Sequence, residues 1–136
     1  MTEATKGNVL LVDDDKFLVD MYSMKFTAGN YQVQACLSVP DALEALKTGF
    51  HADAIVFDLL MPEQDGFSLL QSLSNEGLAK GAALIALTNQ SDDSEKTKTE
   101  GMGVDRYIVK ASMIPSEVVS VVGEEIVKKQ KAPTAQ

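Results

Sequence analysis

The pattern of hydrophobic and polar residues along the chain alternates between one typical of a buried strand and one typical of an amphipathic helix. Short apolar runs of strand length are each followed by a segment whose apolar residues recur at the spacing of one helix face. Strand and helix therefore alternate along the whole chain. The pattern predicts five strands, at 8–12, 31–35, 54–58, 82–87 and 104–109. It predicts five helices between and after them, at 16–28, 38–49, 67–77, 91–100 and 115–129.

The alternation determines the expected architecture. A strand that returns to the same sheet through a helix makes a right-handed crossover, so the strands run parallel and helices cover both faces. The strands at 8–12 and 54–58 are apolar almost throughout, which indicates full burial. The strand at 31–35 includes the polar residues Gln32 and Gln34, which suit the edge of a sheet better than its centre. We expect an α/β fold with a parallel sheet.

Two helices differ in how they should attach to that sheet. In the first helix, Phe17, Met21 and Met24 repeat at helical spacing, with Leu18 and Tyr22 beside them, and we expect this stripe to pack in the core. The segment 91–100 carries caps and charges but no apolar residue. A helix that is polar all round has little to hold it on a sheet, so we expect the fourth helix to be the least stable element and a candidate for the part that moves. The alternative is a solvated surface helix with no such role, whose acidic first turn complements the helix dipole.

Composition and charge narrow the class of protein. A length of 136 residues, 45% hydrophobic and 24% charged, suits one globular domain, which we place at 8–129 between flexible ends at 1–7 and 130–136. The net charge of -8 and the scattered Lys and Arg residues argue against nucleic-acid binding. The single cysteine, Cys36, forms no internal disulfide, and neither a secretory signal nor a membrane-spanning run is visible. We expect a cytoplasmic protein without membrane contact.

Polar side chains stand where four of the predicted strands end. Asp13 and Asp14 follow the first strand, Asp58 ends the third, Thr88 follows the fourth and Lys110 follows the fifth. Because the carboxyl ends of parallel strands open on the same side of a sheet, these groups should converge at one edge, where such folds bind ligands. Each residue alone is equally well explained as a helix cap or a turn residue.

Together these groups suit phosphorus chemistry. Carboxylates crowded at the end of a buried strand repel one another unless a cation lies between them, and oxygen ligands favour Mg²⁺. The Asp58 carboxylate can attack a phosphoryl group and become an aspartyl phosphate. The Thr88 hydroxyl and the Lys110 ammonium can then meet the charge on the phosphoryl oxygens.

In this combination the residues resemble the receiver domain of two-component response regulators, most like the stand-alone kind related to chemotaxis regulators. The resemblance covers the chain from about Asn8 to Lys129. Its motif is an acidic pair, an aspartate with Met-Pro and Asp-Gly behind it, a threonine, an aromatic residue and a lysine: Asp13-Asp14, Asp58, Met61-Pro62, Asp65-Gly66, Thr88, Tyr107 and Lys110. The resemblance implies a flavodoxin-like fold, a single doubly wound sheet of five parallel strands in the order 2-1-3-4-5 with five helices.

The resemblance also implies a chemical role for each motif residue. Asp58 would be the phosphoacceptor, and Thr88 and Lys110 would contact the phosphoryl group. The Mg²⁺ ion, for which Mn²⁺ could substitute, would be surrounded by oxygens of four residues: Asp13, Asp14, Asp58 and the backbone carbonyl of Leu60. Ala111 stands where the family commonly has a proline in a cis bond. Either the fold forces a cis bond before alanine, at about 3 kcal/mol, or the chain runs trans and shifts Lys110.

Partners and output follow from the same resemblance. The phosphoryl donor would be a sensor histidine kinase or a histidine phosphotransfer domain. Thr88 and Tyr107 would be switch residues that shift together on phosphorylation and remodel the face of the fourth helix, fifth strand and fifth helix, where a downstream protein target would bind. The chain would be a signalling domain of a two-component phosphorelay rather than an enzyme, with intrinsic self-phosphorylation and dephosphorylation as its only chemistry.

Two other hypotheses stay open at this point. A receiver-like domain that acts through protein contacts alone, independently of phosphorylation, would have the same fold. The Asp13-x-Asp15 spacing is also similar to that of small Mg²⁺-dependent phosphohydrolases with an aspartate nucleophile, although those enzymes put the nucleophile on the first strand and usually carry a cap module. A flavin or dinucleotide site is disfavoured because no glycine-rich loop follows the first strand.

Overall fold

The computed structural model describes residues 5–131, in which strand and helix alternate in the predicted order. The strands are β1 (Asn8–Val12), β2 (Gln32–Cys36), β3 (Ala54–Asp58), β4 (Ala83–Thr88) and β5 (Arg106–Val109). The helices are α1 (Lys16–Ala28), α2 (Val39–Lys47), α3 (Gly66–Glu76), α4 (Asp93–Gly101) and α5 (Pro115–Lys131). A 3-10 turn at Lys110–Ser112 lies between β5 and α5.

Neighbouring strands of the sheet all run parallel, in the order β2-β1-β3-β4-β5. This confirms the predicted α/β class, the flavodoxin-like order 2-1-3-4-5 and the five helices. β3 is buried at all five positions, as a central strand covered on both faces requires. β2, whose Gln32 and Gln34 are exposed, forms one edge. The strand order reverses between β1 and β3, so a ligand crevice is expected beyond their carboxyl ends.

Alternate residues of each strand enter two hydrophobic clusters, one on each face of the sheet. Val9 and Leu11 of β1 pack in the cluster that α1 and α5 cover, whereas Leu10 and Val12 pack in the cluster that α2 and α3 cover. A slip of one residue in strand register would exchange these two faces, so the double burial holds the register firmly. The strand ends that carry polar residues are therefore held in a rigid frame.

The prediction that Phe17, Met21 and Met24 pack in the core is wrong for Phe17 and Met24. Phe17 is 77% exposed and Met24 is 72% exposed, while Met21 is only partly buried. The buried residues of α1 are Val19, Tyr22 and Phe26, of which the pattern predicted Tyr22 beside the stripe. Both sets have helical spacing, so periodicity alone could not choose between them. The choice comes from the core, where Phe26 packs edge to face against Tyr31 with ring centroids 5.8 Å apart.

Element boundaries differ from the predictions by one or two residues. β2 lies one residue later than expected, β5 begins at Arg106 rather than at position 104, and α5 continues to Lys131. Residues 1–4 and 132–136 lie outside the described part of the chain, so the flexible ends stay a prediction. Within residues 5–131, no helix is both long enough and apolar enough to cross a membrane.

A close contact between Tyr31 and α5 gives a test of this packing. A Cβ added at Gly123 would lie 2.5 Å from the Tyr31 hydroxyl oxygen, so we expect Gly123→Ala to lower the free energy of unfolding by about 1–2 kcal/mol through overpacking. In a Tyr31→Phe background the nearest ring carbon is 3.7 Å away. There the better helix propensity of alanine should raise stability by about 0.5–1 kcal/mol.

Urea unfolding of the wild type, the two single variants and the double variant measures both effects. The decisive result is the change of sign between the two backgrounds. If Gly123→Ala destabilised the protein equally with tyrosine and with phenylalanine at position 31, the hydroxyl contact would not be the cause.

Candidate functional site

The ends of β1 and β3 place two aspartates side by side. Val12 pairs with Phe57 in the register of these neighbouring strands. The next residues, Asp13 and Asp58, therefore occupy adjacent positions at the carboxyl edge of the sheet, and they are only 5% and 4% exposed. Strand order reverses at this point, which is where folds of this kind bind ligands.

Asp14 joins this pair from the loop after β1, and its side chain is exposed. Ligand-capable oxygens of Asp13, Asp14 and Asp58 all lie within 4.8 Å of one another. Carboxylates this close repel one another unless positive charge lies among them. The three acids predicted from separate stretches of sequence, Asp13, Asp14 and Asp58, thus form one acidic cluster.

The third acid after β1, Asp15, is not part of the acidic cluster and has a structural role. Its carboxylate accepts hydrogen bonds from the backbone N–H groups of Phe17 and Leu18 and so caps α1. Its own N–H donates to Asp13 Oδ1 at 2.9 Å. The capping explanation that the sequence left open therefore applies to Asp15, and the acidic cluster needs a separate explanation.

Lys110 supplies positive charge to the buried acids. Its ammonium lies 3.0 Å from Asp13 Oδ2 and 3.3 Å from Asp58 Oδ2, and its side chain is only 13% exposed. The bond from Lys110 to Ala111 is trans, since the described residues contain no cis peptide bond. The lysine therefore reaches both carboxylates without the cis bond that is common in the family.

Burial governs the charge state of the acceptor candidate. It raises the pKa of Asp58 above the ordinary value of 3.8, and the attraction of Lys110 and a hydrogen bond from the Leu60 N–H offset this only in part. Burial acts on Lys110 in the opposite sense, but contacts with Asp13 and Asp58 prevail and raise the pKa of the ammonium above 10.5. The lysine keeps its charge, and a carboxyl group with a raised pKa at the edge of a sheet is a marker of a functional site.

The acidic cluster has the donor set that a divalent cation such as Mg²⁺ prefers. Mg²⁺ binds through one or two carboxylates and retains several waters, and the exposed Asp14 lies where solvent reaches the cluster. The Leu60 N–H donates to Asp58 Oδ1 at 3.3 Å, which turns the loop after β3 back towards the acceptor. The Leu60 carbonyl as a further ligand stays a prediction.

Thr88 lies at the same edge but contacts a different group. It is 2% exposed, and its hydroxyl donates to the Gln90 carbonyl at 3.2 Å. Asp58 pairs with Leu87 in the register of β3 and β4, so Thr88 comes one residue beyond the acceptor on the next strand. The contact between Thr88 and a phosphoryl group stays a prediction.

Tyr107 reaches from β5 to the beginning of α4. Its hydroxyl donates to Glu95 Oε1 at 2.8 Å and accepts from the Asp92 N–H at 3.3 Å. Burial and the hydrogen bond to Glu95 raise the pKa of the phenol above 10.0. The switch role of Tyr107 stays a prediction. Asp92 and Glu95 are not among the residues predicted for the site, although their Asp-x-x-Glu spacing is the sequence signature of a capping box.

Taken together, a doubly wound parallel sheet with an acidic cluster and a lysine at its carboxyl edge defines a signalling domain of the receiver class. The chain belongs to the response regulator receiver domain family, whose model matches residues 9–122. This confirms the resemblance read from the motif, and every motif residue lies within the matched segment.

Curated relatives of this chain are longer proteins. The probable transcriptional regulator ycf27 of Porphyridium aerugineum is 30% identical over 105 residues, which cover 77% of this chain and 42% of the relative. The response regulator SaeR of Staphylococcus aureus (strain USA300) is 28% identical over 112 residues, which cover 82% of this chain and 47% of the relative. The chain thus spans less than half the length of these relatives.

Solved structures share the fold. The receiver domain of Francisella response regulator 1452 is similar with a TM-score of 0.80 at 26% identity, covering 90% of this chain and 98% of that one. A CheY-like receiver domain protein from Methanospirillum hungatei JF-1 has a TM-score of 0.83 at 22% identity, covering 92% of this chain and 97% of that one. At the lower identity the likeness shows the fold alone.

Proposed function

We propose that this receiver domain is the phosphoacceptor of a two-component phosphorelay and that Asp58 receives the phosphoryl group. The donor is the phosphohistidine of a sensor histidine kinase or of a histidine phosphotransfer domain, and transfer depends on Mg²⁺. The observation that carries the proposal is the acidic cluster, in which a nearly buried aspartate has two acidic neighbours within 4.8 Å and a lysine at 3.3 Å. Few reactions other than phosphoryl transfer need this combination of groups.

In the proposed reaction a carboxylate oxygen of Asp58 attacks the phosphorus of the phosphohistidine. The new O–P bond forms as the P–N bond breaks, and the imidazole leaves with a proton from solvent, so that the product is an acyl phosphate on Asp58. Lys110, 3.3 Å from Asp58 Oδ2, holds positive charge beside the incoming phosphoryl oxygens. Mg²⁺, when bound, would neutralise part of the negative charge of carboxylate and phosphoryl group.

Thr88 connects the acceptor with the output face in this proposal. Its hydroxyl donates to the Gln90 carbonyl, and a charged phosphoryl oxygen on Asp58 would be a stronger acceptor. Tyr107, whose hydroxyl lies 3.4 Å from the same carbonyl, would respond to the loss of that bond. We propose that the face of α4, β5 and α5 changes shape in this way and binds the downstream protein target.

Exposed apolar side chains on the segments beyond the carboxyl edge of the sheet support a protein as the natural donor. Four large hydrophobic residues, 42% to 77% exposed, lie on the segments that follow β1, β2, β3 and β5 at the carboxyl edge: Phe17, Leu37, Leu60 and Ile114. Exposed apolar side chains at the same edge of the sheet as a polar site are a surface that a protein partner would cover, whereas a small ion would leave them in water. The cytoplasmic location expected from the sequence stays a prediction.

Phosphorylation by a small donor tests the proposal. Wild-type protein incubated with acetyl phosphate and Mg²⁺ should gain one phosphoryl group in intact-mass spectra, and removal of Mg²⁺ should abolish the gain. Asp58→Asn should gain none, because an amide is not a nucleophile of this kind. Asp20→Asn, which changes an exposed aspartate of α1, should be modified like the wild type.

The outcomes separate the alternatives that the sequence left open. If wild type accepts no phosphoryl group from acetyl phosphate or from a panel of autophosphorylated histidine kinases, the domain acts through protein contacts alone. If it instead releases inorganic phosphate from simple phosphate esters with many turnovers, the phosphohydrolase hypothesis takes its place.

A further inference from the structure

α4 lacks the apolar face by which the other helices pack on the sheet. Among its residues only Thr99 is buried. Its described attachments are mainly polar: the Lys98 ammonium lies 4.2 Å from the ring centroid of Phe67 on α3, and the first turn contacts Tyr107 on β5. A helix held in this way depends on each of its contacts more than a helix with a buried stripe does.

The first turn of α4 has the sequence of a capping box. In a complete box the N-cap side chain accepts from the backbone N–H three residues on, and the glutamate there reaches back to the N-cap N–H. The first half is present, since Asp92 Oδ1 accepts from the Glu95 N–H at 2.9 Å. The second half is interrupted: the Asp92 N–H donates to the Tyr107 hydroxyl at 3.3 Å, and that hydroxyl donates to Glu95 Oε1 at 2.8 Å.

We propose that Glu95 is a positioning residue for Tyr107, which it holds by the hydroxyl inside the capping box of α4, and that Glu95 closes the box on the Asp92 N–H when the phenol leaves. The significance of this arrangement for signalling rests on the proposed function, whereas the hydrogen bonds belong to the unphosphorylated domain. Both arrangements give the Asp92 N–H an acceptor, so neither leaves this donor without a partner. The first turn of α4 therefore has two hydrogen-bonded states, one with the Tyr107 hydroxyl inside the capping box and one without it, and a signal can shift the balance between them.

Gln90 joins this element to the acceptor site. Its carbonyl accepts from the Thr88 hydroxyl at 3.2 Å and lies 3.4 Å from the Tyr107 hydroxyl. Thr88 and Glu95 also line one groove of about 360 Å³ together with Leu60, which follows the acceptor strand. A change of partner at Thr88 therefore alters the surroundings of the Tyr107 hydroxyl, and Glu95 sets how firmly that hydroxyl stays in place.

The charge of Glu95 gives the contact a spectroscopic signature. After burial, the hydrogen bond to this carboxylate is the largest cause that raises the pKa of the Tyr107 phenol. An amide in place of the carboxylate keeps the shape and an acceptor oxygen but loses the charge, and neutral hydrogen bonds are weaker. The titration of Tyr107 therefore reports whether the Glu95 carboxylate holds the hydroxyl.

Tyrosinate absorbance titration of the unphosphorylated domain is the first test. The chain has three tyrosines, and Tyr107→Phe identifies the transition that belongs to Tyr107. That transition should move down towards 10.0 in Glu95→Gln and stay in place in Glu100→Gln, which changes an exposed glutamate of the same helix. An unchanged Tyr107 transition in Glu95→Gln would overturn the proposal.

Amide exchange at Asp92 is the second test, because it distinguishes the two hydrogen-bonded states. In Tyr107→Phe the freed Glu95 carboxylate should take over the Asp92 N–H, so its exchange should stay close to the wild-type rate. In Tyr107→Phe combined with Glu95→Ala neither partner is left, and exchange should be about fivefold faster, the effect of one hydrogen bond. Full exposure of the Asp92 N–H in Tyr107→Phe alone would show that the box does not close.

Both tests use the unphosphorylated domain, so their failure is distinct from failure of the proposed function. If the mass experiment with Asp58→Asn succeeds and these two tests fail, the domain is a phosphoacceptor without this device. If the two tests succeed and no phosphoryl group is accepted, the capping box holds Tyr107 in a domain that signals by another route.

Discussion

Lys110→Met should lower the free energy of unfolding by about 3 kcal/mol in Mg²⁺-free solution, because a buried ion pair that loses one partner leaves uncompensated charge. Asp13 and Asp58 lie 3.0 and 3.3 Å from the ammonium and are nearly buried, so water does not replace the interaction with the lost ammonium. Methionine keeps the apolar stem of the side chain. Lys129→Met is the matched control: Lys129 pairs with Asp105 at 3.2 Å but is 36% exposed, and its loss should cost less than about 1 kcal/mol.

The loss in Lys110→Met should grow with pH. The pKa of Asp58 in the folded protein already lies above 3.8, and removing the lysine removes the main attraction that opposes this rise. A carboxyl group whose folded pKa is raised destabilises the fold once the pH exceeds its unfolded value, and the penalty grows until the pH passes the folded value. Urea unfolding should therefore show a smaller loss near about pH 4 than near about pH 8.

Mg²⁺ should restore much of the stability that Lys110→Met loses. A cation that binds only the folded acidic cluster stabilises the fold by mass action, and the vacated ammonium position leaves Asp13 and Asp58 in need of positive charge. Unfolding curves at increasing Mg²⁺ measure this. A loss no larger than that of Lys129→Met, or one that Mg²⁺ does not reduce, would contradict our account of the site.

Gly66→Ala should also lower the free energy of unfolding by about 3 kcal/mol, because α3 begins directly against the acceptor strand. The alanine Cβ would lie 2.8 Å from the Asp58 carbonyl oxygen, 2.9 Å from Leu59 Cα and 3.0 Å from Leu59 Cδ2. Two of these atoms belong to the backbone of Asp58 and Leu59, so they cannot move away by a change of rotamer as the end of a side chain can. The strand end must shift, and Asp58 shifts with it.

Phosphorylation should therefore slow together with the loss of stability. Displacing a reacting group by a fraction of an ångström to 1 Å costs on the order of tenfold or more in rate. A time course with acetyl phosphate, read by intact mass at a temperature where the variant is folded, measures this effect. Gly101→Ala is the control, since a Cβ there meets nothing within 4 Å and should change stability by no more than about 0.5–1 kcal/mol in the favourable direction. A folded Gly66→Ala protein with the wild-type rate would show that this contact supports the fold but not the acceptor.

The site was predictable because its members stand at strand ends. A parallel sheet brings every carboxyl end to one edge, so Asp13, Asp58 and Lys110 could be expected together without knowledge of any contact. The structure bears out that convergence in the distances between the three side chains. The partners of Tyr107 could not be expected in the same way, because Glu95 belongs to a helix whose position depends on polar contacts rather than on a buried stripe.

The buried face of α1 shows where local patterns are insufficient. The helix has apolar residues on two faces, and the prediction chose the stripe with Phe17 and Met24, which are exposed. Spacing along a helix says that residues share a face but not which face meets the sheet. That choice depends on whether Phe26 can fill the space beside Tyr31, a property of two elements packed together.

The sequence by itself determined the alternation of strand and helix, the parallel sheet that follows from it, and the kinds of residue at its carboxyl edge. Only the tertiary structure decided which partner each polar group takes: Lys110 lies between Asp13 and Asp58, Asp15 caps α1, and the Tyr107 hydroxyl interrupts the capping box of α4. The physical reason is the range of the interactions. The hydrophobic period depends on neighbours along the chain, whereas the ion pairs of Lys110 and the hydrogen bonds of Tyr107 depend on distances of a few ångströms between segments that are far apart in sequence.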